Sequence, residues 1–156
     1  KKKIYAFDTY EGMTEPDKND YDISSNIPAD ILLKGDKAKR TNIWGICNLE
    51  NVKKNIQSCV NSTENIKFIK GPVETTLNDT SNLPDKISLL RLDTDWYNST
   101  KKELDVLYDK VMPGGIIIID DYGHWGGSKK AVDDFFFNKY VWMHYVDYAC
   151  RLIIKD

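Results

Sequence analysis

The feature that most constrains the fold is the unit from 87 to 122, in which two apolar segments each run into acidic residues. Ile87–Leu92 is followed by Asp93-Thr94-Asp95, and Ile116–Ile119 is followed by Asp120-Asp121. A strand–helix–strand crossover is almost always right-handed and makes its two strands parallel, so both acidic ends lie at the same edge of the sheet. Open α/β sheets bind their ligands at that edge. The sequence therefore predicts a cleft in which up to four carboxylates converge.

An amphipathic helix is predicted between the two strands. Its apolar residues Leu104, Leu107 and Val111 recur at helical spacing. Residues 98–100 offer N-cap side chains, and Thr100 with Glu103 fits a capping box. The Pro-Gly-Gly sequence at 113–115 is expected to end the helix. The β-branched run that follows, 116–119, predicts a strand that is buried on both faces.

The rest of the chain alternates strand and helix patterns. Further strands are expected at 4–7 and 66–69, a helix after the N-cap Asn48, a short helix at 73–80, a helix capped by Ser128, and a terminal antiparallel hairpin from 141–146 and 149–154. Together they predict an α/β fold: a three-layer α/β/α sandwich with a mostly parallel sheet and a C-terminal antiparallel hairpin. Residues 14–46 are polar and irregular, which is typical of a substrate lid or insertion that includes one or two helical turns near 27–33.

Composition excludes several classes of protein. The 156 residues form one domain, and a formal net charge of −2 gives no electrostatic basis for binding nucleic acid or anionic membranes. No apolar run is long enough to span a membrane. Three cysteines without metal-ligand spacing are interpreted as reduced thiols, which predicts a cytoplasmic protein.

The aspartates at the two strand ends are the strongest candidates for chemistry. Asp93, Asp120 and Asp121 are predicted to hold Mg²⁺ or another divalent cation, since hard cations prefer carboxylate oxygens. The plain alternative is that such residues cap helices or lie on solvated loops. Asp95 remains open between a supporting role at the metal, a proton acceptor and a helix cap.

Three further residues have a functional and a structural interpretation. Asp8 follows the first strand and either binds ribose hydroxyls or forms the turn before Gly12. His124 lies in a glycine-rich loop beside the acidic pair, as a general base, a substrate-positioning group or an exposed residue without a role. Arg91 is expected to balance the charge of the aspartates.

Two long motifs resemble the macrocin O-methyltransferase family: LRLDTDWYNST at 90–100 and PGGIIIIDDYG at 113–123. The resemblance extends to FDTYEGM at 7–13, GPVETTL at 71–77 and KAVDDF at 130–135. It implies a Rossmann-like methyltransferase fold and an S-adenosylmethionine-dependent, metal-dependent enzyme that methylates a hydroxyl of a sugar or another small molecule. Thr94 departs from the family pattern, which has a small residue there, usually glycine.

The resemblance also implies residue roles. Asp93, Asp120 and Asp121 would hold the metal, and Asp93 or His124 would remove the acceptor proton. The cofactor would be bound by residues that follow the first two strands of this chain: Asp8, Gly12, Gly71, Val73 and Glu74. The family's first strand and its glycine-rich loop are absent from this sequence, which would leave a gap at the centre of the sheet. We expect either an N-terminal segment that this sequence does not include or a sheet that closes differently, for example with a partner chain.

Two other functions remain open. An apolar strand that ends in Asp93-Thr94-Asp95 is also typical of a nucleotide-sugar glycosyltransferase with a D-x-D metal site. A non-catalytic relative that keeps only the fold is the third alternative. The expected partner is a small-molecule hydroxyl acceptor, and self-association as a homo-oligomer is left open.

Overall fold

A computed structural model describes residues 2–34 and 44–156. Thirteen short elements follow one another in these described residues. They are β1 (Ile4–Asp8), α1 (Ala29–Leu32), α2 (Leu49–Cys59), β2 (Ile66–Lys70), α3 (Val73–Thr76), a 3₁₀ turn (Thr80–Asn82), β3 (Ile87–Leu92), α4 (Tyr97–Leu107), a second 3₁₀ turn (Tyr108–Lys110), β4 (Val111–Ile119), α5 (Gly126–Phe136), β5 (Met143–Tyr145) and β6 (Arg151–Ile154).

The strands form two sheets. β1 and β2 pair in parallel, and a four-stranded sheet has the order β3-β4-β6-β5. β3 and β4 are parallel, whereas β6 is antiparallel to both of its neighbours, β4 and β5. The predicted α/β fold, mostly parallel with an antiparallel C-terminal hairpin, is confirmed. Within residues 2–34 and 44–156 no ladder joins β1 to β3, which is where the missing strand was expected.

The main core lies on one face of the four-stranded sheet, where α4 and α5 pack. Leu104, Ile117, Val132 and Ile153 are completely buried there. The opposite face is open: Leu89, Ile116 and Ile154 lie side by side in the register and are 58%, 36% and 52% exposed. The prediction that 116–119 is buried on both faces is therefore wrong at Ile116, because the described helices that pack here cover only one side.

Helix α4 differs from its prediction at both ends. It begins at Tyr97 without a cap from its own neighbouring side chains and ends at Leu107. Thr100 and Glu103 lie inside the helix and are buried, so the capping box is wrong. The helix ends early because Val111 already pairs with Ile87 as the first residue of β4. Helix α5 likewise begins at Gly126, two residues before the predicted cap Ser128.

The N-terminal half of the predicted lid packs on the sheet edge. Asp20 is buried, and its Oδ1 accepts the backbone N–H of Tyr97 (2.8 Å), so the segment supplies the cap that α4 lacks. The indole of Trp96 donates to the Thr14 carbonyl (2.9 Å). Trp96 and Trp125 form a second buried cluster with Ala29 and Leu33. The predicted helical turn near 27–33 is confirmed as α1, and residues 35–43 of the predicted lid lie outside the described residues.

Two other sequence predictions are also tested. The N-cap at Asn48 is confirmed, since its side chain accepts the N–H of Asn51 (2.9 Å). All three cysteines are free thiols. In the part of the chain that the structure describes, no helix has the length and apolar character needed to cross a membrane.

Candidate metal and cofactor site

The carboxyl ends of β3 and β4 meet, as predicted. The backbone N–H of Asp120 donates to the Leu92 carbonyl (3.0 Å) and so joins the two acidic turns. One carboxylate oxygen from each of Asp93, Asp95 and Asp121 lies within 4.8 Å of the other two. Three of the four aspartates therefore face a common point at the sheet edge.

Asp95 enters this cluster through an unusual backbone conformation. Its φ is 67°, and the N–H of Trp96 donates to the Thr94 carbonyl (2.7 Å), so residues 94–96 form a tight turn with Asp95 at its centre. Left-handed φ values are uncommon for residues other than glycine, and such strain is concentrated at functional sites. The turn aims the Asp95 carboxylate at Asp121 instead of at solvent.

The cluster holds more negative charge than its surroundings neutralise. Burial and then the hydrogen bond with Asp121 raise the pKa of Asp95 well above its usual range. Burial also raises the pKa of Asp121, against the opposing effect of the Asp95 hydrogen bond. Two acids this close share a proton in the absence of a cation. Oδ2 of Asp121 is buried and has no hydrogen-bond partner among the described residues.

Arg91 neutralises part of this charge, as the sequence predicted. Its guanidinium contacts Oδ2 of Asp93 (2.8 Å) and Oδ2 of Asp120 (3.0 Å) from the solvent side. Asp93 retains a raised pKa, first because of burial and then because Asp120 and Asp121 lie nearby, although Arg91 lowers it. One arginine therefore leaves a net negative site.

This donor set fits a divalent cation. The three converging oxygens are the ligands that Mg²⁺ prefers, and the unpartnered Asp121 oxygen supplies a further lone pair. Asp93 and Asp121 were both predicted. The geometry adds Asp95 and places Asp120 against Arg91, beside Asp93 and outside the group of three. A role for Asp120 at the metal stays a prediction.

His124 lies in the loop between β4 and α5, beside the cluster. Its Nε2 is 3.8 Å from Oδ2 of Asp22, in the segment that packs over the sheet edge. Its ring contacts Trp125 (4.8 Å) and Tyr148 (6.0 Å) edge to face. Gly123 allows this arrangement, because a Cβ there would collide with the Tyr148 carbonyl. A role for His124 as base stays a prediction.

The turns after β1 and β2 form the predicted cofactor side. The N–H of Gly71 donates to the Asp8 carbonyl (2.9 Å) and holds the two turns together. They border a cavity of about 480 Å³ whose lining includes Gly12, Gly71 and Thr14. Gly12 has φ 96°, and a Cβ there would lie 2.6 Å from the Trp44 carbonyl, so only glycine fits. Asp8 is exposed, and its Oδ1 accepts the N–H of Tyr10 (2.5 Å).

The other two predicted cofactor residues, Val73 and Glu74, lie in different surroundings. Val73 is part of the buried core. Glu74 borders a second cavity, of about 550 Å³, that shares Thr14 and Pro72 with the first. Oε1 of Glu74 accepts the hydroxyl of Ser99 (2.5 Å), and Oε2 is buried without a partner among the described residues. An unpartnered acceptor at this position suits a ligand with N–H or O–H donors, such as adenosine.

Sequence reasoning missed three acidic residues near the site. Asp20 and Asp22 belong to a segment without periodicity, so nothing local marks them. Glu103 carried a signal: it lies three residues after Thr100 and four before Leu107, on the buried stripe of α4. A carboxylate in an otherwise apolar stripe is a reason to expect a polar partner.

Comparison with known proteins identifies the family of this chain. The family model described as Macrocin-O-methyltransferase (TylF) matches residues 1–151. Demethyldecarbamoylnovobiocin O-methyltransferase of Streptomyces niveus is 37% identical over 86 residues, which is 55% of this chain and 32% of that protein. A tetracenomycin-related 4'-O-methyltransferase of Streptomyces olivaceus, whose substrate name includes a dimethoxy-rhamnosyl group, is 26% identical over 134 residues, 86% of this chain and 47% of that protein.

Solved structures of O-methyltransferases superpose on this fold. The O-methyltransferase NovP superposes with a TM-score of 0.77 at 25% identity, over 98% of this chain and 60% of NovP. The calicheamicin methyltransferase CalS11 (TM-score 0.66, 18% identity, 97% of this chain and 60% of CalS11) shares the fold. The chain spans about a third to a half of the length of the curated relatives it matches. A family match over nearly all of its length, together with the acidic edge and the NovP-like fold, shows that this chain belongs to the macrocin O-methyltransferase family.

Proposed function

We propose that this chain forms the metal- and acceptor-binding part of an S-adenosylmethionine-dependent, Mg²⁺-assisted O-methyltransferase that acts on a hydroxyl of a sugar or another small molecule. The main support is the convergence of Asp93, Asp95 and Asp121, with an unpartnered buried oxygen on Asp121, at the carboxyl ends of β3 and β4. The family match and the two Streptomyces relatives, both named as O-methyltransferases and one with a rhamnosyl group in its substrate name, support the reaction class.

The chain's own residues have distinct tasks in this proposal. Asp93, Asp95 and Asp121 hold the cation, which when bound acts as a Lewis acid and lowers the pKa of an acceptor hydroxyl. Asp93, whose side chain is 44% exposed, is the first candidate for the removal of that proton. His124, in the loop between β4 and α5, is the alternative base. Glycines 12 and 71 let the backbone approach the cofactor, which when bound supplies the methyl group on its sulfonium.

Much of the rate of a methyl transfer comes from the positioning of the two reactants. Methyl transfer needs the acceptor oxygen in line with the sulfonium carbon, and holding two reactants together supplies much of the rate. Here the acidic turns and the cofactor turns are tied through α4, since Ser99 binds Glu74 and Thr94 binds Glu103 on the same helix. The two halves of the proposed site are therefore fixed relative to each other.

The direct test is formation of S-adenosylhomocysteine from S-adenosylmethionine with a panel of rhamnosides and phenols, in Mg²⁺ and in EDTA. Turnover should require Mg²⁺ and fall at least 100-fold in Asp121→Asn. The matched control is Asp133→Asn, a partly exposed aspartate on α5 that pairs with Lys129 (2.6 Å). Cofactor affinity, measured by titration calorimetry, should be equal in both variants.

Three results would contradict the proposal. Turnover that is unchanged in EDTA would show that the reaction does not depend on a metal ion. Hydrolysis or transfer of a nucleotide sugar, with no binding of S-adenosylmethionine, would favour the D-x-D glycosyltransferase, and absence of both activities would favour a non-catalytic relative. The proximity of Asp121 to Asp93 and Asp95 speaks against the D-x-D alternative, because that motif assigns no role to a third aspartate from another strand.

A further inference from the structure

Glu103 is a buried acid that the proposed reaction does not use. It lies in the middle of α4 and is only 6% exposed. No ion pair includes it within residues 2–34 and 44–156. Burial raises its pKa to about 8, and Glu74 and Asp93 add to the shift. An apolar side chain at this position would avoid the desolvation of a carboxyl group.

The contact of Glu103 is with the acidic turn. Its Oε2 accepts the hydroxyl of Thr94 at 2.9 Å. Thr94 stands between Asp93 and Asp95, and its carbonyl oxygen accepts the N–H of Trp96 (2.7 Å) in the turn that gives Asp95 its left-handed conformation. One side chain from the rigid helix therefore holds the residue around which both converging carboxylates are arranged.

We propose that Glu103 is a positioning residue for the cation site: through the Thr94 hydroxyl it fixes the strained turn, and so the separation and direction of the Asp93 and Asp95 carboxylates. This inference rests on the proposed function, because it assumes that these carboxylates bind Mg²⁺. Partners that orient metal ligands typically change metal affinity by about 10- to 100-fold when removed.

The protonated form of Glu103 suits this role. A neutral acid still offers a carbonyl oxygen to the Thr94 hydroxyl, and it adds no further negative charge to a site that already has four aspartates. Glutamine offers the same acceptor in the same shape. Methionine fills similar space without an acceptor, and valine replaces threonine without a donor. The hydrogen bond can therefore be removed from either side with a matched control for each.

The test is titration of Mg²⁺ alone into the protein and five variants. Thr94→Val and Glu103→Met should bind Mg²⁺ about 10- to 100-fold more weakly. The controls Thr94→Ser and Glu103→Gln should stay within about twofold of the unmodified protein. In the double variant Thr94→Val/Glu103→Met the loss should equal that of either single change, because both remove the same bond. Melting in EDTA should be unchanged or higher for Glu103→Met, which a purely structural role would not produce.

The outcomes separate this inference from the proposed function. If the unmodified protein does not bind Mg²⁺, the metal of the proposed function is wrong and the role of Glu103 is wrong with it. If it binds Mg²⁺ and Thr94→Val or Glu103→Met binds equally well, only the role of Glu103 is overturned. Losses in the double variant that add up over the two single changes would show two independent effects and would also overturn it.

Discussion

The two sheets of this protein differ in how firmly they are held. In the four-stranded sheet, Leu92, Ile117 and Ile119 are almost completely buried under α4 and α5. In the β1–β2 pair only Ile69 is buried, and α2, which connects the two strands, has no buried residue. The buried polar residues of the described chain likewise lie in α4, α5 and the segment that packs on them. The acidic cluster thus stands on a packed core, whereas the predicted cofactor turns stand on an open pair of strands.

The difference suggests a division of tasks. Metal ligands must keep fixed distances, so they benefit from a rigid base. A nucleotide-binding surface gains its remaining order from the ligand, because anything that binds the folded state stabilises it. We therefore expect mutations and pH changes to alter the free energy of unfolding strongly when they affect the four-stranded sheet and its helices. The effect should be small when they affect the β1–β2 pair.

The largest effect is expected from a matched pair of strand isoleucines. Ile117→Ala should lower the free energy of unfolding by about 2–5 kcal/mol, because it opens a cavity beside a residue that is 0% exposed. Ile4→Ala, at a position that is 51% exposed in β1, should lower it by about 1 kcal/mol or less. Urea denaturation of the two variants measures both values. Equal losses would contradict the comparison.

A pH dependence should follow from Glu103. Burial raises its pKa in the folded protein from 4.5 to about 8. The unfolded chain therefore releases this proton first as the pH rises, and the contribution of Glu103 to the free energy of unfolding falls across that window by at most about 1.4 kcal/mol per pH unit. Denaturation in EDTA at several pH values should show the decline, and Glu103→Gln should make it less steep. If the free energy of unfolding of Glu103→Gln falls equally steeply with pH, the decline comes from other groups.

Asp20 joins the segment that packs on the sheet edge to the first turn of α4, and removal of its carboxylate tests this contact. Asp20→Ala removes the acceptor for the first N–H of α4 and should lower stability by about 1–2 kcal/mol. Asp20→Asn keeps an acceptor oxygen and should lower it by less. Thermal melting of both variants gives the difference. If Asp20→Ala melts like the unmodified protein, the cap does not contribute.

The smallest effect is expected in the open half. Lys70 of β2 forms an ion pair with Glu11 (2.6 Å), but the side chains are 50% and 72% exposed. Lys70→Met should change the free energy of unfolding by less than about 0.5 kcal/mol, and added salt should remove what difference there is. A larger loss in urea denaturation would mean that this pair holds the cofactor turns together.

Local patterns predicted the strands, their parallel order and the meeting of their acidic ends, because alternation of strand and helix decides those features. They did not predict which carboxylates converge. That choice depends on the φ of Asp95, which no sequence pattern marks, and on Arg91 reaching Asp120. The start of α4 was also missed, because its cap comes from Asp20, 77 residues earlier in the chain. Contacts between distant segments determine both features.

The cap from Asp20 has a kinetic consequence. Asp20 also accepts the N–H of Asp17 (2.7 Å), and its carboxylate fills the space that a Cβ at Gly127 would need, so it joins its own loop to the first turns of α4 and α5. If this segment swings outward, α4 loses its first hydrogen bond in the same event. Outward movement of this segment and fraying of the first turn of α4 then share one rate, and hydrogen exchange of the Tyr97 amide measures that rate.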